Sequence, residues 1–140
     1  HFRHVNTYGG HPVATAVSLK NIEIVQRENL AANAAKMETY IKGRLNEFAD
    51  HPYVGEIRGK GLLLGIELVS DKEKKTPLEM AKANAIIQNC LKQGVSIMRN
   101  GNTVPGLGNV LIMAPPLILQ ENEADQIVDA IGNALKQSLN

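Results

Sequence analysis

The sequence lacks the features that mark secreted, membrane-spanning and nucleic-acid-binding proteins. Its one cysteine, Cys90, cannot form a disulfide within the chain, which is typical of the reducing cytoplasm. No apolar run approaches the roughly 20 residues needed to span a bilayer. A net charge of +1 gives no strong field to attract nucleic acid or an anionic membrane. We therefore expect a cytoplasmic protein that binds neither nucleic acid nor membrane.

The beginning of the chain also lacks an initiating methionine. Its first residues, "HFRHVNTYGG", include apolar side chains and resemble neither a signal peptide nor a tag or flexible arm. We therefore expect a piece of a larger protein. The 140 residues, 44% of them hydrophobic, are still enough for one domain with a core.

Hydrophobic spacing predicts a mixture of helices and strands. Their order is two helices, a hairpin, a helix, two strands and a last helix, which predicts an α+β fold. We expect a mostly antiparallel sheet of about four strands with helices packed on it. The predicted helices are 12–25, 30–48, 78–93 and 122–139, and the predicted strands are 54–58, 62–69, 95–98 and 110–114.

Three local patterns refine this prediction. Apolar residues cover most of the circumference of the first helix, which predicts burial on several sides. Strand 62–69 is apolar on both faces, so both faces are predicted to be covered. Gly59-Lys60-Gly61 predicts a tight reversal between the hairpin strands, because glycine accepts unusual backbone angles.

The stretch "TYGGHP" at 7–12 leads directly into the first helix. A helix N-terminus favours anions, glycines allow the backbone to approach a phosphate, and the Thr7 hydroxyl can donate to it. Threonine and glycine are also common helix-capping residues. On local sequence alone, capping is favoured over phosphate binding.

Arg99 lies where a predicted strand meets the loop 100–108, which is rich in glycine, asparagine and proline. Arginine can grip a carboxylate with two parallel hydrogen bonds. Arginines at strand ends are also often solvated, and local sequence favours that interpretation. The stretch "RGKGL" at 58–62 lacks phosphate-loop spacing and is predicted to be a hairpin in which Arg58 pairs with a nearby carboxylate.

The remaining candidate side chains indicate structural roles. His1, His4 and His11 do not have the spacing of a familiar metal site, and no metal is expected. His11 is predicted to form hydrogen bonds beside the helix start. Cys90 is predicted to lie in the core. Glu67, on a largely apolar strand, has no role that the sequence explains.

Four blocks of sequence, in a fixed order, carry a resemblance to a known family. They are "FRHVNTYGGHPVATAV", "VGEIRGKGLLLGIEL", "GVSIMRN", and "VLIMAPPLIL" followed by an acidic helix. Together they resemble the C-terminal part of class III (ω-) pyridoxal-phosphate-dependent aminotransferases. The resemblance implies a fold type I homodimer that uses pyridoxal 5'-phosphate to transfer an amino group from an amine or ω-amino acid to a keto acid. It implies that 1–28 end the large cofactor-binding domain with its connecting helix and that 29–140 form the small C-terminal domain.

The resemblance also implies roles for particular residues. Thr7 would donate to the cofactor phosphate of the other subunit, and Tyr8 belongs to the same cofactor-binding segment. Arg99 would bind the substrate carboxylate, and in some members of the family this arginine swings aside for uncharged substrates. In the family, the Schiff-base lysine and the aspartate that pairs with the pyridine nitrogen lie upstream of the threonine motif. We therefore expect no catalytic residue in this chain, and no activity from it alone.

Two features leave the function open in part. Asn100 stands where the family commonly has proline, and loop 100–108 is longer than the usual turn. Taurine, β-alanine, diamines, aromatic amines and the biotin-pathway donor all remain possible amino donors. An alternative from another class is a stand-alone α+β binding or dimerisation module without chemistry. In that alternative, the first helix would need a partner, most simply a second copy of the chain.

Overall fold

Four helices and five strands make up most of the computed structural model, which describes residues 7, 9–101 and 104–138. The helices are α1 (Pro12–Arg27), α2 (Leu30–Leu45), α3 (Met80–Lys92) and α4 (Glu121–Gln137), and a 3-10 turn, Asn46–Phe48, continues α2. The strands are β1 (Val54–Lys60), β2 (Leu63–Asp71), β3 (Thr76–Pro77), β4 (Met98–Arg99) and β5 (Val110–Met113).

The strands form an open antiparallel sheet in the order β1-β2-β5-β4. The predicted α+β class is therefore confirmed. The two-residue strand β3, which lies in a segment predicted to be a loop, pairs with the end of β2. Gly65 marks the centre of the sheet, because it lies opposite Arg58 on β1 and Ile112 on β5.

The chain reverses direction between β1 and β2, which confirms the reversal predicted at Gly59-Lys60-Gly61. The turn itself lies slightly later in the chain than predicted. Gly59 has φ +148°, and a Cβ there would lie 2.3 Å from the carbonyl oxygen of Leu63. Gly61 has φ +55°. Because β1 continues to Lys60, only Gly61 and Leu62 lie between the strands. The first glycine is needed for a close approach of two backbones and the second for a left-handed conformation.

The core lies between one face of the sheet and three helices. α2 and α3 pack on α4, and α2 also contacts β1. Alternate residues of β2 and β5 face these helices, as the two-residue period of a strand requires. The buried members of this face are Leu64, Ile66, Leu68, Leu111 and Met113. Cys90 on α3 is fully buried, and its Sγ donates to the carbonyl of Ala130 at 3.7 Å, which confirms its predicted place in the core.

The opposite face of the sheet is partly open. Leu63 on β2 and Met98 on β4 are each 65% exposed. The prediction that both faces of the second hairpin strand are covered is therefore wrong for the described residues. The reason is that all three packed helices lie on the same side of the sheet, so that the alternate residues of β2 remain without a helix over them.

The predicted burial of the first helix is also wrong within the described residues, because α1 contains no buried residue. Partial burial is confined to Ala14, Ile24 and Val25. Its exposed apolar side chains are Val13 (66%), Val17 (63%), Leu19 (64%) and Ile22 (53%). The hydrophobic pattern is present, but the rest of the described chain does not cover it. No helix among the described residues is both long and apolar enough to cross a membrane.

Candidate functional site

The segment before α1 presents an accessible hydroxyl and backbone. Thr7, Gly9 and Gly10 are exposed. Gly10 has φ +76°, and a Cβ built on it would meet no heavy atom within 4 Å. Glycine is therefore required there by the left-handed backbone, not by crowding. Tyr8, the other residue expected to bind cofactor, lies outside the described residues.

His11 caps the start of α1, as predicted. Its Nδ1 accepts a long hydrogen bond of 3.4 Å from the backbone N–H of Ala14, and its carbonyl accepts one of 3.0 Å from Oγ1 of Thr15. The next residue, Pro12, has no N–H. The helix end therefore keeps few donors for an anion, whereas the hydroxyl of Thr7 and the backbone of Gly9 and Gly10 are exposed. No acidic side chain in the first turn opposes an anion, so this segment fits a phosphate group.

Arg99 is the last residue of β4 and points to the helix-covered face of the sheet. In the β4–β5 register it lies opposite Leu111, which is fully buried beneath the helices. The preceding residue, Met98, lies opposite Ile112 and faces the open side. Because directly opposed residues of antiparallel strands share a face, Arg99 reaches toward α3.

The guanidinium of Arg99 is held by neutral oxygen atoms. Its Nε donates to Oδ1 of Asn84 on α3 at 2.9 Å. Its Nη1 donates to the carbonyls of Asn100 at 3.0 Å and Gly108 at 3.4 Å. Among the ion pairs of the described residues, none involves Arg99, although the residue is half-buried. Its positive charge is thus hydrogen-bonded but has no carboxylate partner within this part of the chain.

Two further residues shape the surroundings of Arg99. Gly108 is buried, and a Cβ there would lie 2.6 Å from Nη1 of Arg99, so the absence of a side chain makes room for the guanidinium. Asn100 closes the base of the loop: its Nδ2 donates to the carbonyl of Leu107 at 2.6 Å, and its Oδ1 accepts from the N–H of Val110 at 2.9 Å. Its own N–H donates to the carbonyl of Val110. Proline could make none of these three bonds.

Arg58 and Glu67 form a separate ion pair on the open face of the sheet. Nη1 of Arg58 donates to Glu67 at 2.6 Å and to Glu56 at 2.8 Å. The hydrogen bond that Arg58 donates to Glu67, together with the nearby negative charges of Glu67 and Glu56, raises the pKa of the Arg58 guanidinium. The predicted pairing of Arg58 is confirmed, and it explains Glu67. Arg58 and Glu67 border an open pocket of about 320 Å³ that is also lined by Asn100 and Leu107.

Two of the candidate residues, Thr7 before α1 and Arg99 beside α3, lie on separate segments. No hydrogen bond of the described residues joins them. No group of three or more potential metal ligands occurs among the described residues. The lysines Lys20, Lys36 and Lys42 each pair with a carboxylate. Sequence does not identify Asn84 and Gly108 as site residues, because only the fold brings them to Arg99, and it identifies Asn100 only as a departure from the family's proline.

Comparisons with known proteins agree over nearly the whole chain. A family model described as aminotransferase class-III matches residues 1–135. The chain is 45% identical over 130 residues to an uncharacterized aminotransferase of Bacillus subtilis, covering 93% of this chain and 29% of that protein. It is 39% identical over 138 residues to the taurine–pyruvate aminotransferase of Rhodobacter capsulatus, covering 98% of this chain and 30% of that protein.

A solved structure extends this agreement to the fold. The crystal structure of a Bacillus anthracis aminotransferase matches with a TM-score of 0.89 and 43% identity, over 97% of this chain and 30% of that one. The chain therefore spans less than a third of the length of these relatives. With its family model matched from residue 1 to 135 and its fold shared with a solved aminotransferase, the chain belongs to the class-III aminotransferase family.

Proposed function

We propose that this chain is the C-terminal part of an aminotransferase that moves an amino group from an amine or ω-amino acid to a keto acid. The observation that carries the proposal is the family match over residues 1–135, combined with coverage of only about 30% of each relative. One relative is named for taurine and pyruvate, an ω-amino compound and a keto acid. The cofactor is pyridoxal 5'-phosphate, and the enzyme works in the cytoplasm.

The boundary between the two proposed domains lies just before α2. Residues 1–28 would end the large domain and provide the connecting helix, and residues 29–140 would form the small domain. Support comes from packing, because α2 buries Ala34, Met37, Ile41 and Leu45 against the core whereas α1 buries no residue. The exposed apolar side chains of α1 would then be covered by the large domain or by the second subunit of a homodimer.

The proposed cofactor contact is the hydroxyl of Thr7, which would donate to the phosphate of pyridoxal phosphate in the other subunit. Tyr8 would belong to the same binding segment. The exposure of Thr7, Gly9 and Gly10 supports this role, since a hydroxyl and free backbone are suitable phosphate donors. When bound, pyridoxal phosphate supplies the electron sink for loss of a proton from the amine. The catalytic lysine would be upstream, so the chain alone would be inactive.

The proposed substrate contact is Arg99, which would bind the carboxylate of a donor or of the keto acid. Its guanidinium carries no ion pair within the described residues, and two parallel hydrogen bonds to a carboxylate would satisfy it. The half-buried position of Arg99 strengthens such a pair relative to one in open water.

The decisive test uses the full-length enzyme and the isolated 140-residue chain side by side. With pyridoxal phosphate, β-alanine and pyruvate, we expect turnover by the full-length enzyme and none by the isolated chain. Turnover by the isolated chain would contradict the assignment of the catalytic lysine to the upstream part. Absence of turnover by the full-length enzyme on any amine and keto acid would favour a binding module without chemistry.

A second test addresses Arg99 alone in the full-length enzyme. Arg99→Ala should reduce kcat/KM for β-alanine far more than for 1-aminopropane, which lacks the carboxylate. The reactions are followed as donor half-reactions, because the keto acid also carries a carboxylate. Arg99→Lys keeps the positive charge but cannot form two parallel hydrogen bonds to a carboxylate. Its kcat/KM for β-alanine should therefore lie between those of Arg99→Ala and the parent. Equal losses for both amines would contradict the carboxylate-binding role.

A further inference from the structure

In this structure the guanidinium of Arg99 cannot form two parallel hydrogen bonds to a carboxylate through Nε and Nη2. Nε carries a single proton, and that proton is donated to Oδ1 of Asn84 at 2.9 Å. A grip on a carboxylate through Nε and the adjacent Nη2 therefore requires that the bond to Asn84 break. Nη1 is already engaged by the carbonyls of Asn100 and Gly108.

Residues from two separate elements build this position. Asn84 lies on α3, one helical turn from the start of that helix, and Gly108 lies at the end of the loop before β5. Gly108 is buried, and any Cβ at that residue would lie 2.6 Å from Nη1 of Arg99. The loop carbonyl of Asn100 is held in place because the side chain of Asn100 closes the base of the loop. The guanidinium therefore occupies a space that is shaped for it.

We infer that Asn84, with Gly108, holds Arg99 in a resting position, and that Asn84 thereby determines how strongly the enzyme prefers amino donors that carry a carboxylate. This inference rests on the proposed carboxylate-binding role of Arg99. A charged donor is bound only when Arg99 leaves Asn84, so the bond to Asn84 opposes its binding. An uncharged donor needs no such release. A ligand can shift an equilibrium between two positions only by its difference in affinity for them.

The size of the effect follows from the bond that is broken. A single hydrogen bond to an exposed residue such as Asn84 contributes about 0.7–1.4 kcal/mol, which corresponds to a three- to tenfold change in an equilibrium. Loss of the acceptor at residue 84 should therefore make the carboxylate-binding position of Arg99 about three- to tenfold more accessible. Asn84 would act as a positioning residue, because it touches Arg99 and not the substrate.

The experiment compares Asn84→Ala with the parent in the full-length holoenzyme. Donor half-reactions are measured with β-alanine and with 1-aminopropane. We expect the ratio of kcat/KM for β-alanine to that for 1-aminopropane to rise about three- to tenfold. The change should appear as a lower KM for β-alanine with little change in the maximal rate. Gln88→Ala, at an exposed residue one turn further along α3, is the matched control and should leave the ratio unchanged.

A second variant and a binding measurement make the test independent of the folding of Asn84→Ala. Gly108→Ala places a methyl group against Nη1 and should raise the same ratio by displacing the guanidinium. Inhibition by propanoate, an unreactive carboxylate, should strengthen about three- to tenfold in Asn84→Ala, whereas inhibition by propanamide should not. In an Arg99→Ala background, Asn84→Ala should have no further effect on the ratio.

The outcomes distinguish the proposed carboxylate-binding role of Arg99 from the inferred resting position held by Asn84. If Arg99→Ala discriminates between the amines but Asn84→Ala and Gly108→Ala leave the ratio unchanged, the resting position is refuted and the role of Arg99 stands. A lower ratio in Asn84→Ala would mean that Asn84 presents Arg99 to the substrate, which also refutes the inference. Equal losses on both amines would assign Asn84 a merely structural role. If Arg99→Ala itself fails to discriminate, both proposals fall.

Discussion

The backbone N–H of Gly61 donates a 2.6 Å hydrogen bond to Oε2 of Glu38, and this bond joins the β1–β2 turn to α2. The other carboxylate oxygen of Glu38 accepts from Nζ of Lys42 at 2.9 Å, and Lys42 in turn donates to the carbonyl of Gly59 at 2.7 Å. The hydrogen bond from Lys42, followed by that from Gly61, lowers the pKa of the Glu38 carboxyl to about 2. The ionised form of Glu38 therefore stabilises the hairpin against α2.

The first prediction concerns acid stability. The pKa of Glu38 falls from 4.5 to about 2 on folding, so its contribution to the free energy of unfolding is fully present above pH 4.5 and is lost as the pH falls toward 2. Glu38→Gln should lower the denaturant midpoint at pH 7, and the difference from the parent should shrink below pH 4.5. Glu73→Gln, in the exposed turn after β2, is the control. A difference that is constant from pH 7 to pH 3 would contradict the prediction.

The second prediction compares two helical glycines. A Cβ at Gly132 on α4 would lie 2.3 Å from Cζ of Phe48, whereas one at Gly43 on α2 would meet no heavy atom within 4 Å. Alanine is favoured over glycine in a helix by about 1 kcal/mol, so Gly43→Ala should stabilise the chain by up to that amount. Gly132→Ala should destabilise it by about 1–3 kcal/mol through overpacking. Both are measured by chemical denaturation, and stabilisation by Gly132→Ala would show that Phe48 can move aside.

The third prediction concerns the thiol of Cys90. Burial raises its pKa to about 11, because the thiolate would lose its hydration in the core. At pH 8 only on the order of one thiol in a thousand would be ionised, and thiolate is the reactive form. We expect an aromatic disulfide reagent to modify Cys90 only as the chain unfolds, with a rate that follows denaturant concentration. Rapid modification of the native chain at pH 8 would contradict this.

The fourth prediction concerns cofactor retention in the full-length enzyme. Thr7→Ala removes a hydroxyl that we propose to donate to the phosphate, so pyridoxal phosphate should dissociate about tenfold faster, as expected for one charge-assisted hydrogen bond. Thr7→Ser keeps the hydroxyl and should restore retention. Thr39→Ala, on the exposed side of α2, is the control. Retention is followed by cofactor absorbance after gel filtration, and unchanged retention in Thr7→Ala would leave Thr7 as a residue of the helix start only.

The features that sequence predicts well are those determined by neighbouring residues. The glycines of the β1–β2 turn, the start of α1 at Pro12 and the position of Arg99 at a strand end all depend on local backbone preferences. The pairing of Arg58 with a nearby carboxylate is also predicted, and the partner, Glu67, lies diagonally across the hairpin, two residues beyond Gly65, which is directly opposite Arg58.

The features that sequence did not predict depend on packing between distant segments. Asn84 precedes Arg99 by 15 residues, and only the packing of α3 on the sheet brings them together. The exposure of α1 and of Leu63 was missed for a related reason: hydrophobic patterning shows that a surface is suited to burial, but it does not show which part of a protein covers it. Asn100 was noted only as a departure from proline, and its loop-closing bonds could not be read from the sequence.

The strand β1 at one end of the sheet has a consequence for the colloidal behaviour of the chain. An edge strand offers free backbone groups to which a strand of another molecule could bind, the first step of amyloid-like growth. On β1 the charged residues Glu56, Arg58 and Lys60 alternate along the strand, and an irregularity in register between Val54 and Glu56 interrupts its pairing. Charged side chains and bulges on an edge strand oppose fibril formation, because they hinder pairing with a strand of another molecule. We therefore expect concentrated samples of this chain to self-associate through α1 before they do so through the sheet edge.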